Sequence, residues 1–63
     1  MRSGETVYTV ERAVDAVWVL TWKLVSLQHG WATIRGPERP DGTFPDHLES
    51  RRENEVFFVK PEV

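Results

Sequence analysis

The segment from Val17 to Val25 constrains the fold of this chain more than any other, because it is apolar at both even and odd positions. On a strand, one face would carry Trp18, Leu20, Trp22 and Leu24, and the other Val17, Val19, Val25 and Leu27, with Thr21 and Lys23 between them. A strand that is apolar on both faces is typical of a small barrel, where one long strand bends to serve two sheets. We therefore expect a long strand here.

The same region also has a helical interpretation. Apolar residues recur at steps of three and four through residues 11–29, and Gly30 follows where a helix would stop. Valine, tryptophan and threonine are nevertheless frequent in Val17–Val25, and these residues favour a strand over a helix. The sequence favours the strand, and an α+β fold with residues 11–29 helical stays the alternative.

Three further segments have the composition of strands: Thr6–Glu11, Trp31–Arg35 and Val56–Val59. His29 and Gly30 predict a tight connection between two of the strands. Residues 36–45 contain two glycines and three prolines, which indicates a loop. The charged stretch Leu48–Glu55 predicts either a helical turn or a hydrated hairpin arm. We predict one small domain over residues 1–63, mostly β, folded as an SH3-like barrel of four or five antiparallel strands with a Pro/Gly-rich loop.

The two ends of the chain carry short motifs. Residues 4–10 read Gly-Glu-Thr-Val-Tyr-Thr-Val, and residues 55–62 read Glu-Val-Phe-Phe-Val-Lys-Pro-Glu. This order resembles small bacterial and phage proteins that open with G-[DE]-x-V-Y-x-[VI] and close with [DE]-V-F-x-[TS]-x-E-E. Val59 stands where that group has Ser or Thr, and Pro61 where it has Glu, so a C-terminal helix does not carry over.

The resemblance implies a small SH3-like or chromo-like β-barrel in which the opening and closing segments lie side by side. It implies no chemical activity. A small phage or bacterial regulator, for example an inhibitor of a host factor, is the role that it suggests for a chain of this size and mild acidity.

The composition argues against catalysis and against bound metal. The chain has no cysteine, so disulfides, thiolate metal sites and thiol nucleophiles are excluded. His29 and His47 lack the companion ligands that zinc requires. No serine lies in a nucleophile-elbow context, and no glycine-rich phosphate loop is present. We predict a protein that is not an enzyme and that has no metal site and no cofactor.

The charge and the N-terminus give expectations about location. The formal net charge is −2, which is too weak to steer the whole molecule towards nucleic acid. Residues 1–5 lack the apolar region of a signal peptide. The longest apolar run, Ala16–Leu20, is far shorter than a membrane-spanning segment. We therefore expect a cytoplasmic protein without membrane association.

The aromatic residues predict the function. A domain this small needs large side chains for its core, which is the simplest role for its tryptophans. Trp18 and Trp22 would share one strand face, and at least one should be partly exposed. Exposed tryptophans beside apolar neighbours are typical of partner surfaces. We expect a non-catalytic protein-interaction module with a partner-binding face formed by Trp18, Trp22, Trp31 and Tyr8.

Two alternatives use other features. Arginines beside aromatic residues bind nucleic acid in some small barrels, and the candidates here are Arg35, Arg39, Arg51 and Arg52. Their acidic neighbours in the sequence make a solvated, ion-paired surface the competing interpretation. A homodimer is the other alternative, with Val56–Val59 or Val17–Val25 as an open strand edge that a second copy completes.

Overall fold

The computed structural model describes residues 4–63. Residues 1–3, part of the stretch considered for a signal peptide, lie outside the described residues. The described chain contains β1 (Thr6–Ala13), β2 (Ala16–Gln28), β3 (Trp31–Arg35), β4 (Leu48–Arg52) and a 3₁₀ turn (Glu53–Glu55). The strands form one antiparallel sheet in the order β1-β2-β3-β4. The prediction of a mostly β fold is confirmed.

The long strand β2 is the centre of the sheet. Its first part, Ala16–Lys23, pairs with β1, and its last part, Lys23–Gln28, pairs with β3. The alternative of a helix over residues 11–29 is wrong. The β-branched and aromatic residues of this segment pack on both faces of a pleated strand, and this packing outweighs the helical spacing of its apolar positions.

A β-bulge at Val25 changes which side chains of β2 face the interior. Trp22 and Leu24 point inward, and the pairing register shifts immediately after Leu24. Beyond the bulge, Leu27 pairs with the buried Ala32 and packs against the core. An unbroken alternation, as expected from the sequence, would have placed Leu27 on the opposite face.

One face of the sheet, here called the inner face, carries the core. The buried apolar side chains are Val7, Trp22, Leu24, Ala32, Ile34 and Val56, and Leu20, Leu27 and Phe58 pack against them. Each large apolar side chain buried in this way contributes about 1.5–3 kcal/mol relative to exposure. The opposite side of the sheet is called the outer face.

The sheet curves so that its edge strands approach each other without pairing. After the 3₁₀ turn the chain returns to β1, where Tyr8 and Phe57 exchange two backbone hydrogen bonds of 2.9 Å. Across the inner face, Arg51 Nη2 of β4 lies 3.2 Å from Glu11 Oε2 of β1. Because the sheet is not closed by a ladder between β1 and β4, an SH3-like barrel is not confirmed. The strand expected over Val56–Val59 is reduced to the bridge at Phe57.

The connections follow the turn residues of the sequence. His29 and Gly30 both have positive φ angles, 55° and 81°, as a two-residue hairpin turn between twisted strands requires. The tight connection predicted there is confirmed. The loop expected over residues 36–45 is also irregular in the structure and continues to His47. At its base, the Gly36 N–H donates to the His47 carbonyl at 3.0 Å.

Candidate interaction surfaces

The first half of β2 projects beyond the core together with the second half of β1. We call this segment, Val10–Leu20, the arm. Its strands pair with each other as far as Ala13 and Ala16, whereas β3 begins to pair with β2 only at Lys23. The arm is therefore a two-stranded ribbon, and such ribbons are marginally stable on their own in water. It is a candidate for contact with another molecule.

Apolar side chains lie on both faces of the arm. Trp18 is on the inner face, opposite Glu11, and is 42% exposed. Val17 is on the outer face and is 42% exposed, and Val14 at the tip is fully exposed. Contiguous exposed apolar side chains on a small protein mark an interaction surface.

One edge of the arm has peptide groups that no other described strand pairs with. The Thr21 carbonyl accepts a hydrogen bond of 2.8 Å from Glu38 N–H on the side of β2 that faces away from β1. Because peptide groups alternate along a strand, those of Val17 and Val19 point to the same side. Within residues 4–63, no backbone hydrogen bond from outside the β1–β2 pair reaches them. The segment Val17–Val25, predicted as a possible dimer edge, is therefore open at Val17 and Val19, whereas β3 pairs with it from Lys23 onwards.

Trp22 does not belong to this surface. It was predicted to contact a partner, but its side chain is 1% exposed in the core. Its indole Nε1 donates to the buried Thr9 Oγ1 at 2.8 Å, and that hydroxyl donates to Glu11 Oε2 at 2.7 Å. Trp22 lies at the centre of the sheet and Trp18 beyond it, which accounts for the different exposure of two residues on one strand face.

Arg51 also faces inward, where two carboxylates neutralise it. Its guanidinium lies 3.2 Å from Glu11 and its Nε donates to Glu49 Oε2 at 3.0 Å. Desolvation lowers the pKa of Arg51, but the hydrogen bond that it donates to Glu49 and the charges of both carboxylates outweigh desolvation and raise the pKa. For Glu49, desolvation is likewise outweighed, here by hydrogen bonds from Arg51 and His47, and the pKa is lowered. This network joins the edge strands and leaves Arg51 no charge to offer a ligand.

Arg39, another predicted nucleic-acid residue, lies outside the strands, in the Pro/Gly-rich loop. It bonds within the loop, its Nη1 donating to Thr43 Oγ1 at 3.2 Å. Asp41 accepts hydrogen bonds from the hydroxyl and the N–H of Thr43, and these bonds lower the pKa of Asp41. The loop is therefore held by its own side chains.

Trp31 and Arg52 stack on the outer face at the start of β3. The Arg52 guanidinium lies 4.5 Å from the centroid of the Trp31 ring, and Trp31 is 45% exposed. Beside them is an open hollow of about 300 Å³ lined by Gly30, Arg52, Glu53 and Asn54. Stacked guanidinium and indole planes next to a hollow form a platform for a flat ligand.

Two more cations face outward at the other end of β3. Lys23 and Arg35 are direct cross-strand partners. Both lie near the ring of Phe44, with Lys23 Nζ 5.3 Å and the Arg35 guanidinium 6.0 Å from its centroid. Lys23 Nζ donates to Thr6 Oγ1 at 2.9 Å, and Arg35 lies 4.0 Å from the fully exposed Asp46. The sequence analysis did not single out Lys23, because its place beside Arg35 depends on the register.

The predicted partner-binding residues do not form one surface. Trp18 lies on the inner face of the arm, whereas Tyr8 and Trp31 lie on the outer face. Trp31 pairs with Gln28, so ten strand residues separate it from Trp18 along β2, roughly 33 Å. Tyr8 is half-buried beside Phe57. Val14 was not predicted as a site residue, and Val17 was named only as the first residue of the possible dimer edge, although both are apolar and near the hairpin turn.

No protein-family model, curated protein or solved structure matches this chain. Within the described residues, no helix has the length and apolar character needed to cross a membrane. In residues 4–63, no group of three or more His, Asp or Glu side chains is arranged to hold a metal ion.

Proposed function

We propose that the protein is a non-catalytic protein-interaction module whose binding surface is the arm. The observation that carries the proposal is the open edge of β2, where the peptide groups of Val17 and Val19 point outward without a backbone partner among residues 4–63, beside the half-exposed Trp18. An added strand would satisfy these groups and cover the apolar side chains between them.

The occupant that best fits this edge is a second copy of the chain. In a two-fold antiparallel pairing, Val17 of each copy exchanges hydrogen bonds with Val19 of the other. Trp18 then faces its own counterpart on the inner side, and Ala16 faces Leu20. Every cross-strand pair is apolar, and an aromatic pair adds roughly 0.5–1.5 kcal/mol beyond its buried area.

The other edge of the arm is less suited to a second copy. Tyr8 bonds to Phe57 on the side of β1 away from β2, so Val10 and Arg12 point their peptide groups to that side. Pairing Val10 with Arg12 of a second copy places Glu11 opposite Glu11, and pairing Arg12 with itself opposes two cations. Like charges directly opposite each other destabilise a strand pair.

The test compares two proline variants on opposite edges of the same arm. V19P removes an N–H from the open edge of β2, and V10P removes the equivalent N–H from the edge of β1. Neither N–H belongs to the β1–β2 ladder, so the two variants are matched. Solution mass is measured by sedimentation from about 1 μM to about 1 mM, the range of dissociation constants of modest complexes.

We expect the parent chain and V10P to dimerise as concentration rises, and V19P to stay monomeric. Tryptophan fluorescence should become less accessible to a quencher as the dimer forms. W18A should lose this change, because Trp18 is the tryptophan that the dimer covers. A parent chain that stays monomeric at about 1 mM would refute self-pairing and leave a strand of a different protein as the occupant. Equal loss in V10P and V19P would refute the choice of edge.

Two finer expectations belong to the same proposal. The first is that the fold is an SH3-like barrel. The Tyr8–Phe57 bridge and the Glu11–Arg51 ion pair support it, because they bring the segment after β4, and β4 itself, close to β1. The second is the role of a phage or bacterial regulator, exercised through the arm, which rests on the motifs at the chain ends.

A further inference from the structure

The sheet separates its charges by face. The carboxylates within the described strands, Glu11 and Glu49, both point inward and both bind Arg51. The outer face of β2, β3 and β4 instead carries Lys23, Arg35 and Arg52. An acidic protein thus presents one strand surface on which the charged side chains are all cations.

The same surface carries flat and hydroxyl-bearing side chains between the cations. The Trp31–Arg52 stack lies at one end of β3, and Arg35 with Lys23 lies at the other. Between them, Thr33 and Ser50 are direct cross-strand partners on the outer face. Trp31 and Arg35 are four residues apart, or roughly 13 Å along the strand.

We propose that this outer face binds single-stranded nucleic acid. A base stacks on the exposed part of the Trp31–Arg52 platform, since aromatic rings and guanidinium planes both accept stacked bases. Lys23 and Arg35 bind backbone phosphates at the far end of β3, and the edge of the Arg52 guanidinium binds a third phosphate at the platform. Asn54, in the hollow beside the platform, offers an amide to the edge of the stacked base.

The combination of cations and an exposed indole on the outer face favours a nucleic acid over an acidic protein as the ligand. A carboxylate-bearing peptide needs cations, but it has no use for an exposed indole with a guanidinium stacked on it. A nucleic acid uses both, because each nucleotide has a phosphate and a π-face. The surface is distinct from the arm, so this proposal does not depend on self-pairing.

The experiment measures fluorescence anisotropy of labelled single-stranded DNA and RNA, each of about twelve nucleotides and mixed sequence. Three neutralised phosphates predict a slope of about −2 in log affinity against log salt, because each contributes about −0.7 on single strands. Affinity should then fall about 20-fold between about 50 and about 200 mM salt. A difference between DNA and RNA would report contact with the 2′-hydroxyl.

Three variants locate the site. W31A should weaken binding at least about fivefold through lost stacking. R52Q should weaken binding and reduce the salt slope by about 0.7. R39Q, the control, removes an arginine outside the strands, which donates to Thr43 within its own loop, and should leave affinity and slope unchanged.

Binding that is undetectable at about 50 mM salt would overturn the proposal. If R39Q weakened binding as much as R52Q does, the proposal would also be overturned, since binding would then depend on overall positive charge and not on the outer face. If heparin, a polyanion without bases, competes fully and W31A has no effect, base stacking is refuted. V19P should bind as the parent does, which separates this test from that of the arm.

Discussion

The hydroxyl of Thr9 connects the core to the network of Glu11, Arg51 and Glu49. Replacing this hydroxyl should show how much the connection contributes to the free energy of unfolding. Thr9 is fully buried, accepts from Trp22 Nε1 at 2.8 Å and donates to Glu11 Oε2 at 2.7 Å. T9V keeps the shape of the side chain and removes both hydrogen bonds. The indole N–H is then left buried without an acceptor.

The magnitude follows from these two bonds. An unsatisfied buried N–H costs about 1–3 kcal/mol, and the carboxylate loses one donor while keeping Arg51. We expect T9V to lower the free energy of unfolding by about 2–3 kcal/mol. A domain of this length has a free energy of unfolding of roughly 3–9 kcal/mol in total, so the variant should lose a large fraction of its stability.

The assay is urea unfolding at one fixed, low protein concentration, followed by circular dichroism. With a denaturant slope near 1 kcal/mol per molar urea, the midpoint should fall by about 2–3 M. T9S is the matched control: it keeps the hydroxyl, loses one methyl group and should cost only about 1 kcal/mol.

A double-mutant cycle isolates the hydrogen bond from other effects. W22F removes the indole N–H, so T9V should cost at least about 1 kcal/mol less in that background than in the parent. If T9V shifts stability by less than about 0.5 kcal/mol, or if its cost is unchanged by W22F, the reasoning from the buried N–H is wrong.

Two further changes test other contacts. G36A should lower the melting temperature more than G42A. Both glycines have positive φ, but a Cβ on Gly36 meets Trp22 Cε3 at 3.1 Å and the Thr21 carbonyl at 3.3 Å, whereas a Cβ on Gly42 makes only an ordinary contact of 3.9 Å with Glu38 Oε2. Equal losses would show that crowding at Gly36 is relieved. Glu49 has a lowered pKa, so its stabilisation is present above its ordinary value near 4.5 and is lost as pH falls through the folded value. Urea midpoints from pH 6 down to pH 3 should therefore decline less steeply in E49Q than in the parent, and parallel declines would contradict the assignment.

The strands and turns of this fold were largely predictable because local chemistry decides them. The valine and tryptophan density of β2, the alternation of Trp31–Arg35 and the His29-Gly30 turn each act over a few residues. The bulge at Val25 was not predictable. No residue type marks it, and it exists because Leu24 and Leu27 are both drawn to one core.

The distribution of charge over the two faces could not be read from the sequence for a related reason. In β4, Arg51 and Arg52 are adjacent and point to opposite faces, but the pattern Leu-Glu-Ser-Arg-Arg does not say which face is inner. Only pairing with Ala32 places Arg51 beside Glu11, leaving Arg52 on Trp31. The sequence analysis placed the two arginines in one group, whereas the strand register gives each of them different partners.

The order of the strands has a consequence for the time course of folding. Each strand pairs with its neighbour in the chain, so hairpins can form one after another on the microsecond scale of local turns. The ion pair between Glu11 and Arg51 joins segments far apart in the chain, and its loop-closure entropy must be met by contacts already made. We expect the meander to assemble first and this ion pair to form late, so E11Q should speed unfolding more than it slows folding.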